Sequence, residues 1–382
     1  MRTLVLTGPG GAGATTLAAA AAVRAAGTGR SVVLLTRQAP PVEGLGEVAG
    51  LEVRAVDAGA AAERFWGSTV APAAAGLPQL HLPPASSVAP MPGAADLAVL
   101  AEIARARADL VVVDAGTAAE ATALLALPAT LRWWLDRLLP PGTRALGALR
   151  SAAVGAGAAR RGPVDAALAV VPRLEALLAA DRLADVSATA VWVAAVPRAG
   201  VTPPLRELAT ALGLHGLRIG AVLARVLPDA GPGEWWRARL AEQAAELPGL
   251  AGIAPVHRVA EAATAPADVG TLAALLDGLA LPEGGGLPVP APERRGDTWE
   301  LGVPLPFAQR GAVGLTRWED DLVITAAGTR RSLPLDPLLR RCEITGGRLV
   351  DPGDAGARLV VSFRPDAQLW PADLLAAVRR TS

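Results

Sequence analysis

The sequence predicts an α/β domain with a mostly parallel sheet flanked by helices, followed by a small all-β sandwich. Three observations lead to this prediction. Short apolar runs alternate with helical stretches over residues 1–278, as in parallel α/β sheets. A Pro- and Gly-rich segment, 279–297, interrupts this pattern and has the composition of a linker. Beyond it, the spacing of apolar residues changes from helical to alternating, which indicates strands.

The elements of the α/β domain follow one another in a regular order. A β-rich run at 2–7 precedes an Ala-rich stretch at 17–26 with helical character. A helical region of about 140–185 later interrupts the alternation of strands and helices. Further apolar and β-branched runs have the composition of buried strands and lie at 31–35, 109–113, 188–196 and 219–223.

The segment 298–366 is predicted to form the sandwich, and 367–382 is predicted to form a short C-terminal helix that caps it. Gly-, Asp- or Pro-rich turns separate the predicted strands of the sandwich. A domain of about 70 residues is near the lower limit for an autonomous core. The predicted strands lie at 299–301, 313–318, 322–325, 342–344 and 359–363.

Composition and charge argue against several classes of function. The net charge is zero and the pI is near 6.9, so nucleic-acid binding is not expected. The single cysteine, Cys342, excludes an intramolecular disulfide, and the three scattered histidines lack metal-ligand spacing. The chain starts with a strand-like run and contains no apolar span suited to a membrane. A cytoplasmic protein without a membrane span is therefore expected.

The segment 8–16 has the form of a phosphate-binding loop between the first strand and the first helix. In such loops, backbone N–H groups and the helix N-terminus face the phosphates, and a lysine bridges them. The lysine position here is Ala14. The motif predicts a sheet of the P-loop NTPase type. The candidate nucleotide-binding residues are Gly8, Gly10, Gly11, Gly13, Ala14, Thr15 and Thr16.

The missing lysine has no substitute of its own type, because the chain contains no Lys and all 36 of its Lys+Arg residues are Arg. A compositional shift from Lys to Arg would have kept the positive charge at this position, whereas Ala14 removes it. We therefore interpret Ala14 as a sign that the site is no longer required to bind and process phosphate groups. An arginine could replace the charge, since Arg binds phosphate bidentately. Arg37 and Arg225 are the candidates for this role, although neither lies in the loop.

Together, the loop, a second strand that ends in Asp114 and the C-terminal sandwich resemble the ArsA family of P-loop ATPases. This family includes arsenite-pump ATPases and ATPases that target tail-anchored membrane proteins. The family's loop, Gly-Lys-Gly-Gly-Val-Gly-Lys-Thr-Thr, aligns without a gap and leaves Pro9 and Ala14 at its two lysines. Its Ser-Thr-Asp-Pro-Ala-His motif falls on 36–41, with Gln38 at the water-activating carboxylate. Glutamine can orient water but cannot take its proton.

Other family motifs keep their scaffold positions and lose their nucleotide positions. The resemblance implies ATP and Mg²⁺ as ligands, with Thr15 and Asp114 at the metal. A turn or cap role at the strand end explains Asp114 equally well. The switch motif Thr-Gly-His-Thr reads Ala-Ala-Glu-Ala at 118–121, and the adenine-contacting Asn is replaced by Ala224.

Three functions follow from the resemblance. In the first, ATP hydrolysis is lost or severely reduced, and the chain is a dimerising, client-handling or regulatory subunit. Its partner would be a second copy or an ArsA-family paralogue. In the second, the chain is an active ATPase that couples nucleotide state to membrane-protein targeting or anion transport. In the third, its sandwich resembles a small heat-shock domain and holds apolar protein clients without nucleotide. Trp133 and Trp134 lie where the client-facing region would begin, and we interpret them as core residues.

Overall fold

The computed structural model describes residues 1–74, 82–156, 170–229, 231–281, 285–366 and 368–370. The predicted C-terminal helix lies outside these residues except for 368–370, which form a turn. Part of the predicted helical region 140–185 also lies outside them.

The centre of the α/β domain is a sheet of seven parallel strands. They are β1 (Arg2–Gly8), β2 (Val32–Thr36), β3 (Leu51–Ala55), β4 (Leu110–Thr117), β5 (Thr189–Ala195), β6 (Ile219–Val226) and β7 (Val256–Ala260). Their order is β3-β2-β4-β1-β5-β6-β7. The inner strands are buried on both faces, which explains their nearly continuous apolar sequences. The predicted P-loop NTPase-like α/β fold is confirmed.

Helices cover both faces of the sheet and bury two apolar cores against it. On one face, α1 packs its alanines closely against the strands, whereas α4, α5 and α8 contribute to the core on the other face. The described helices are α1 (Ala14–Gly27), α2 (Ala58–Phe65), α3 (Ala71–Ala74), α4 (Ala94–Arg105), α5 (Ala118–Leu138), α6 (Pro141–Gly155), α7 (Val171–Ala179), α8 (Thr202–Leu214), α9 (Gly233–Ala251) and α10 (Val269–Ala274).

The C-terminal domain is a sandwich of two antiparallel sheets around its own core. The strands are β8 (Pro292–Arg295), β9 (Thr298–Pro304), β10 (Val313–Trp318), β11 (Asp321–Ala326), β12 (Thr329–Pro334), β13 (Cys342–Val350) and β14 (Arg358–Pro365). One sheet has the order β10-β11-β12 and the other β13-β14-β9-β8. Strand β8 lies within the segment 279–297 that composition predicts as a linker, so pairing with β9 begins before the end of that segment.

The sandwich packs on the C-terminal half of α5. Asp321, only 7% exposed, accepts hydrogen bonds from Trp133 Nε1 (2.9 Å) and Arg137 Nη2 (2.8 Å). The Trp318 ring centroid lies 5.8 Å from that of Trp133 and 4.3 Å from the guanidinium carbon of Arg137. Trp133 is therefore an interdomain contact rather than a residue of one core, and its neighbour Trp134 is exposed.

A second contact joins the sandwich to α8. Thr210 Oγ1 donates a hydrogen bond to the carbonyl of Pro306 (2.6 Å), and Arg331 Nη1 donates one to the carbonyl of Leu214 (2.5 Å). A side chain at Gly213 would collide with the ring of Pro306, so the helix and the 304–306 segment are in close contact. Two separate helices of the α/β domain thus hold the sandwich.

Candidate functional site

The loop at 9–13 connects β1 to α1 at the carboxyl end of the sheet. Gly11 and Gly13 have φ angles of 79° and 89°, in the left-handed region that favours glycine. A Cβ at Gly8 would collide with the carbonyl of Ala194 on β5. The loop therefore needs glycine at these positions for its own conformation, and that conformation is of the kind that cradles phosphate.

The helix that follows the loop begins without a side-chain cap. Gly13 is its N-cap, and the first helical bond runs from Leu17 N to Gly13 O (3.0 Å). The N–H groups of residues 14–16 precede this ladder and lie at the positive end of the helix. Ala14 is partly buried against the core on the α1 face of the sheet and supplies no charge to this position.

On one side of the loop, at the ends of β2 and β4, Asp114 is buried and hydrogen-bonded. Its Oδ2 accepts from Thr36 Oγ1 (3.0 Å) and its Oδ1 from the Gly116 N–H (3.3 Å). Thr36 Oγ1 also accepts from the backbone N–H of Gln38 (3.1 Å), whose side chain is exposed. Asp114 thus joins β2 and β4. It lies within β4 and the cap of α5 is Thr117, so the interpretation of Asp114 as a turn or cap residue at the strand end is wrong.

The same carboxylate fits a Mg²⁺ site of the kind that P-loop proteins use. Mg²⁺ keeps several waters and takes one or two protein oxygens together with phosphate oxygens. Asp114 has lone pairs beyond its two hydrogen bonds, and Thr15 lies in the first turn of α1. Within the described residues, no cluster of three or more His, Cys, Asp or Glu could hold a metal ion by itself. Any Mg²⁺ here would need the nucleotide's phosphates.

Arg37 lies on this side of the loop and is already engaged by carboxylates. Its Nη2 lies 2.5 Å from Asp96 Oδ1 on α4, and its Nη1 lies 3.9 Å from Glu120 Oε1 on α5. Glu120 accepts the N–H of Thr117 (2.7 Å) in a reciprocal capping box. Those hydrogen bonds from Thr117, with the charge of Arg37, hold the pKa of Glu120 below its usual value.

On the other side of the loop, a cavity of about 550 Å³ opens between the loop and the carboxyl ends of β5, β6 and β7. Its wall includes Arg198, Arg225, Arg239, Glu261 and Trp235. Arg239 is nearly buried and pairs with Glu242 of α9. Trp235, at the start of α9, is 62% exposed. Ala224 is fully buried in β6, so the position that resembles the family's adenine contact offers no polar side chain.

Arg225 reaches from the end of β6 to the loop. Its Nη1 lies 3.4 Å from the carbonyl oxygen of Gly11, and a Cβ on Gly13 would lie 3.6 Å from the same nitrogen. Its Nη2 pairs with Glu261 Oε1 at 2.9 Å. Of the two arginines considered from the sequence, Arg225 contacts the loop, whereas Arg37 pairs with Asp96 instead.

Helix α9 fixes two walls of the cavity. Glu242 Oε1 accepts the backbone N–H of Ala199 (2.8 Å), and Gln243 Oε1 accepts that of Leu227 (2.8 Å). These bonds hold the segments that follow β5 and β6. The sequence reasoning did not identify Glu261, Trp235 or Arg239 as site residues. Glu261 directly follows β7, a strand that lacks an apolar run, so no local motif marks this position in the sequence.

These features define a P-loop α/β protein: a glycine loop between the central strand and its helix, and a carboxylate at the end of the adjacent strand. Residues 1–251 match the family model described as anion-transporting ATPase, and 296–363 match the HSP20-like domain found in ArsA. The chain belongs to the ArsA ATPase family, and the resemblance stated from the sequence is confirmed.

Two relatives match almost the whole chain. It is 37% identical to the uncharacterized protein SCO2128 of Streptomyces coelicolor, over 97% of this chain and 99% of that protein. It is 29% identical to the protein Rv2184c of Mycobacterium tuberculosis, over 97% of both. Among the described residues, no helix has the length and apolar character needed to cross a membrane.

Proposed function

We propose that this protein is an ArsA-family ATPase-like subunit that has lost ATP hydrolysis, or retains it at a severely reduced rate. It acts as a dimerising subunit that handles protein clients or regulates a partner. One observation carries the first part of the proposal: Pro9 and Ala14 supply neither charge of the family's two lysines, and the arginine on the β2 and β4 side of the loop is engaged by carboxylates. Ala14 is neutral, and Arg37 pairs with Asp96 and lies near Glu120.

The expected cost of the two missing lysines is large. A charge-assisted hydrogen bond to phosphate contributes about 1.5 to 3 kcal/mol, so Ala14 should weaken nucleotide binding by about 10- to 100-fold. The family's other lysine, at Pro9, acts like an arginine finger across the dimer, and such a group contributes about 10³ to 10⁵ in rate. The exposed Gln38 cannot accept the proton of an attacking water.

Phosphate release from Mg²⁺-ATP tests the loss of hydrolysis. The purified chain is expected to turn over less than about 0.1 per minute, the order of slow unassisted GTPases. The Pro9→Lys/Ala14→Lys double variant restores both charges and is expected to raise the rate. Adding Asp114→Ala to that variant should remove the gain, because it deletes the carboxylate that fits Mg²⁺. Faster turnover by the natural chain would overturn the proposal in favour of an active ATPase.

Exposed apolar side chains support the client-handling part of the proposal. Trp134 and Leu138 at the end of α5, and Leu146 and Leu149 on α6, are 50% to 69% exposed. Exposed apolar surface of this kind is typical of binding sites for other proteins. The matching measurement is suppression of aggregation of a model client, with Leu146→Ser/Leu149→Ser as the variant that should lose it.

Nucleotide dependence and mass measurements separate the alternatives. Suppression of aggregation that is unchanged by nucleotide would favour the chaperone-like module over the regulatory subunit. Light scattering tests the dimer, and co-elution with an ArsA-family paralogue that keeps both lysines tests a mixed dimer. A monomer that co-elutes with no such paralogue would contradict the dimerising role.

A further inference from the structure

The two sides of the phosphate-binding loop carry opposite charge. Near the ends of β2 and β4, the carboxylates of Asp96 and Glu120 lie close to Arg37, and a third carboxylate, Asp114, is hydrogen-bonded to Thr36. Across the loop, the cavity wall carries three arginines and Glu261, and Glu242 pairs with one of these arginines, Arg239, which leaves an excess of positive charge. Since the interaction of charges falls with distance, an anion in the site is attracted to the cavity side. A phosphate placed toward β2 and β4 would meet carboxylates instead.

Arg225 is positioned to contact a phosphate in the loop. Its Nη1 lies beside Gly11 and Gly13, whose backbone lies between the cavity and the start of α1. Among the residues that the structure describes, its carboxylate partner is Glu261, and both side chains are about one-third exposed. A partly solvated ion pair contributes little, about 0 to 1 kcal/mol, so a phosphate can replace the carboxylate at small cost. Arginine also offers two donors to a phosphate at once.

The cavity also offers an aromatic surface to a nucleobase. The exposed ring of Trp235 lines the same wall as Arg225. Stacking on an aromatic side chain tolerates any base, because every base has a π face. The neighbouring position, Ala224, has no hydrogen-bonding side chain to select adenine. Recognition of the base here would therefore depend on stacking and shape and not on hydrogen bonds to the edge of the base.

We propose that this site binds the two phosphates of a nucleoside diphosphate, with Arg225 as its principal cation. The third phosphate of a triphosphate is not needed for binding. The loop N–H groups and Arg225 hold the phosphates, Arg225 exchanges Glu261 for the ligand, and the base stacks on Trp235. A third phosphate that lies toward β2 and β4 adds no affinity, because the arginine on that side, Arg37, is already paired with carboxylates. This inference rests on the proposed function, since a subunit that does not hydrolyse ATP has no need to select it.

Isothermal titration calorimetry with ADP, ATP and GDP, each with Mg²⁺, tests the proposal on the full chain. We expect ADP to bind, and ATP and GDP to bind within about threefold of ADP. Arg225→Ala should weaken ADP binding by about 10- to 100-fold, the loss of one charge-assisted contact. Glu261→Gln should tighten it severalfold by releasing Arg225. Trp235→Ala should weaken it by at least about fivefold.

Arg218→Ala is the matched control, because it removes the same charge at a separate cavity at the opposite ends of β5, β6 and β7. It should leave ADP affinity within about twofold, and thermal unfolding should show that Arg225→Ala is folded. Absence of ADP binding, tenfold tighter binding of ATP or GDP, or unchanged affinity in folded Arg225→Ala would overturn the inference. Phosphate release tests the proposed function separately, so a chain that fails to hydrolyse ATP and also fails to bind ADP contradicts this inference alone.

Discussion

Replacing Asp321 with alanine should loosen the sandwich from the α/β domain. This carboxylate is nearly buried at the interface and accepts hydrogen bonds from Trp133 and Arg137 of α5. It also accepts one from Ser332 on the neighbouring strand β12 (2.9 Å). Burial disfavours its charge, yet these hydrogen bonds outweigh burial and keep the pKa of Asp321 below its usual value. One side chain therefore satisfies donors from both domains.

The size of the effect follows from what Asp321→Ala leaves behind. Removing one partner of a buried ion pair costs about 3 to 5 kcal/mol. The side chain of Arg137 is 27% exposed and keeps Glu319 as a partner, so solvent and that second carboxylate reduce the cost. The indole of Trp133 loses its acceptor, at about 1 to 3 kcal/mol if it remains buried. We expect a total loss of about 2 to 4 kcal/mol.

Urea unfolding measured by tryptophan fluorescence reads this loss, because Trp133 and Trp318 contact each other across the interface. Asp320→Ala is the matched control. Asp320 pairs with Arg340 at 3.5 Å, and both side chains are about half exposed, so its loss should cost no more than about 0.5 kcal/mol. A loss below about 1 kcal/mol for Asp321→Ala, or equal losses for both variants, would refute this account of the interface.

Two further predictions concern stability. Burial, reinforced by the charge of Arg331, lowers the pKa of His215 from 6.5 to about 4. Between these values the unfolded state binds a proton that the folded state does not. The free energy of unfolding should therefore fall by about 1.4 kcal/mol per pH unit as pH drops through this window, and His215→Gln should flatten that dependence in urea unfolding. Gly8→Ala should destabilise the protein by about 1 to 3 kcal/mol through collision with Ala194. Gly10→Ala, whose Cβ meets no atom within 4 Å, is its control, and equal stability of the two variants would contradict the packing argument.

The strands that apolar runs failed to predict all lie at the edges of sheets. They are β3 and β7 of the central sheet, β8 of the four-stranded sheet and β12 of the three-stranded sheet. Edge strands are partly exposed and carry charged residues that discourage aggregation, such as Arg54 in β3 and Arg258 in β7. A search for apolar runs finds strands that are buried, and these edge strands lack such runs. The inner strands of the central sheet are predicted because both of their faces are covered by helices and their sequences are almost entirely apolar.

The residues of the candidate site fall into two groups in the same way: some are marked by a local sequence motif, and others are brought together only by the fold. The loop glycines are predicted from the sequence because they form a short motif directly after a strand, and Asp114 is predicted from the family resemblance. The pairing of Arg37 with Asp96 was not, because 59 residues separate the two along the chain. Arg225 and Glu261 are 36 residues apart and meet only because β6 and β7 are neighbours in the sheet. Such pairs cannot be predicted from the spacing of residues along the sequence.

Helix α5 connects the loop side of the molecule to the sandwich, and contacts within the chain fix both of its ends. Its start is the capping box of Thr117 and Glu120, at the position that resembles the family's γ-phosphate-sensing switch. Its last turns hold the sandwich through Trp133 and Arg137. A ligand could move this helix only if the first turn of α5 had two conformations and the ligand bound one of them more tightly than the other. The capping carboxylate of Glu120 occupies that position with negative charge, so a γ-phosphate would be repelled there. The orientation of the sandwich therefore depends on contacts within the chain.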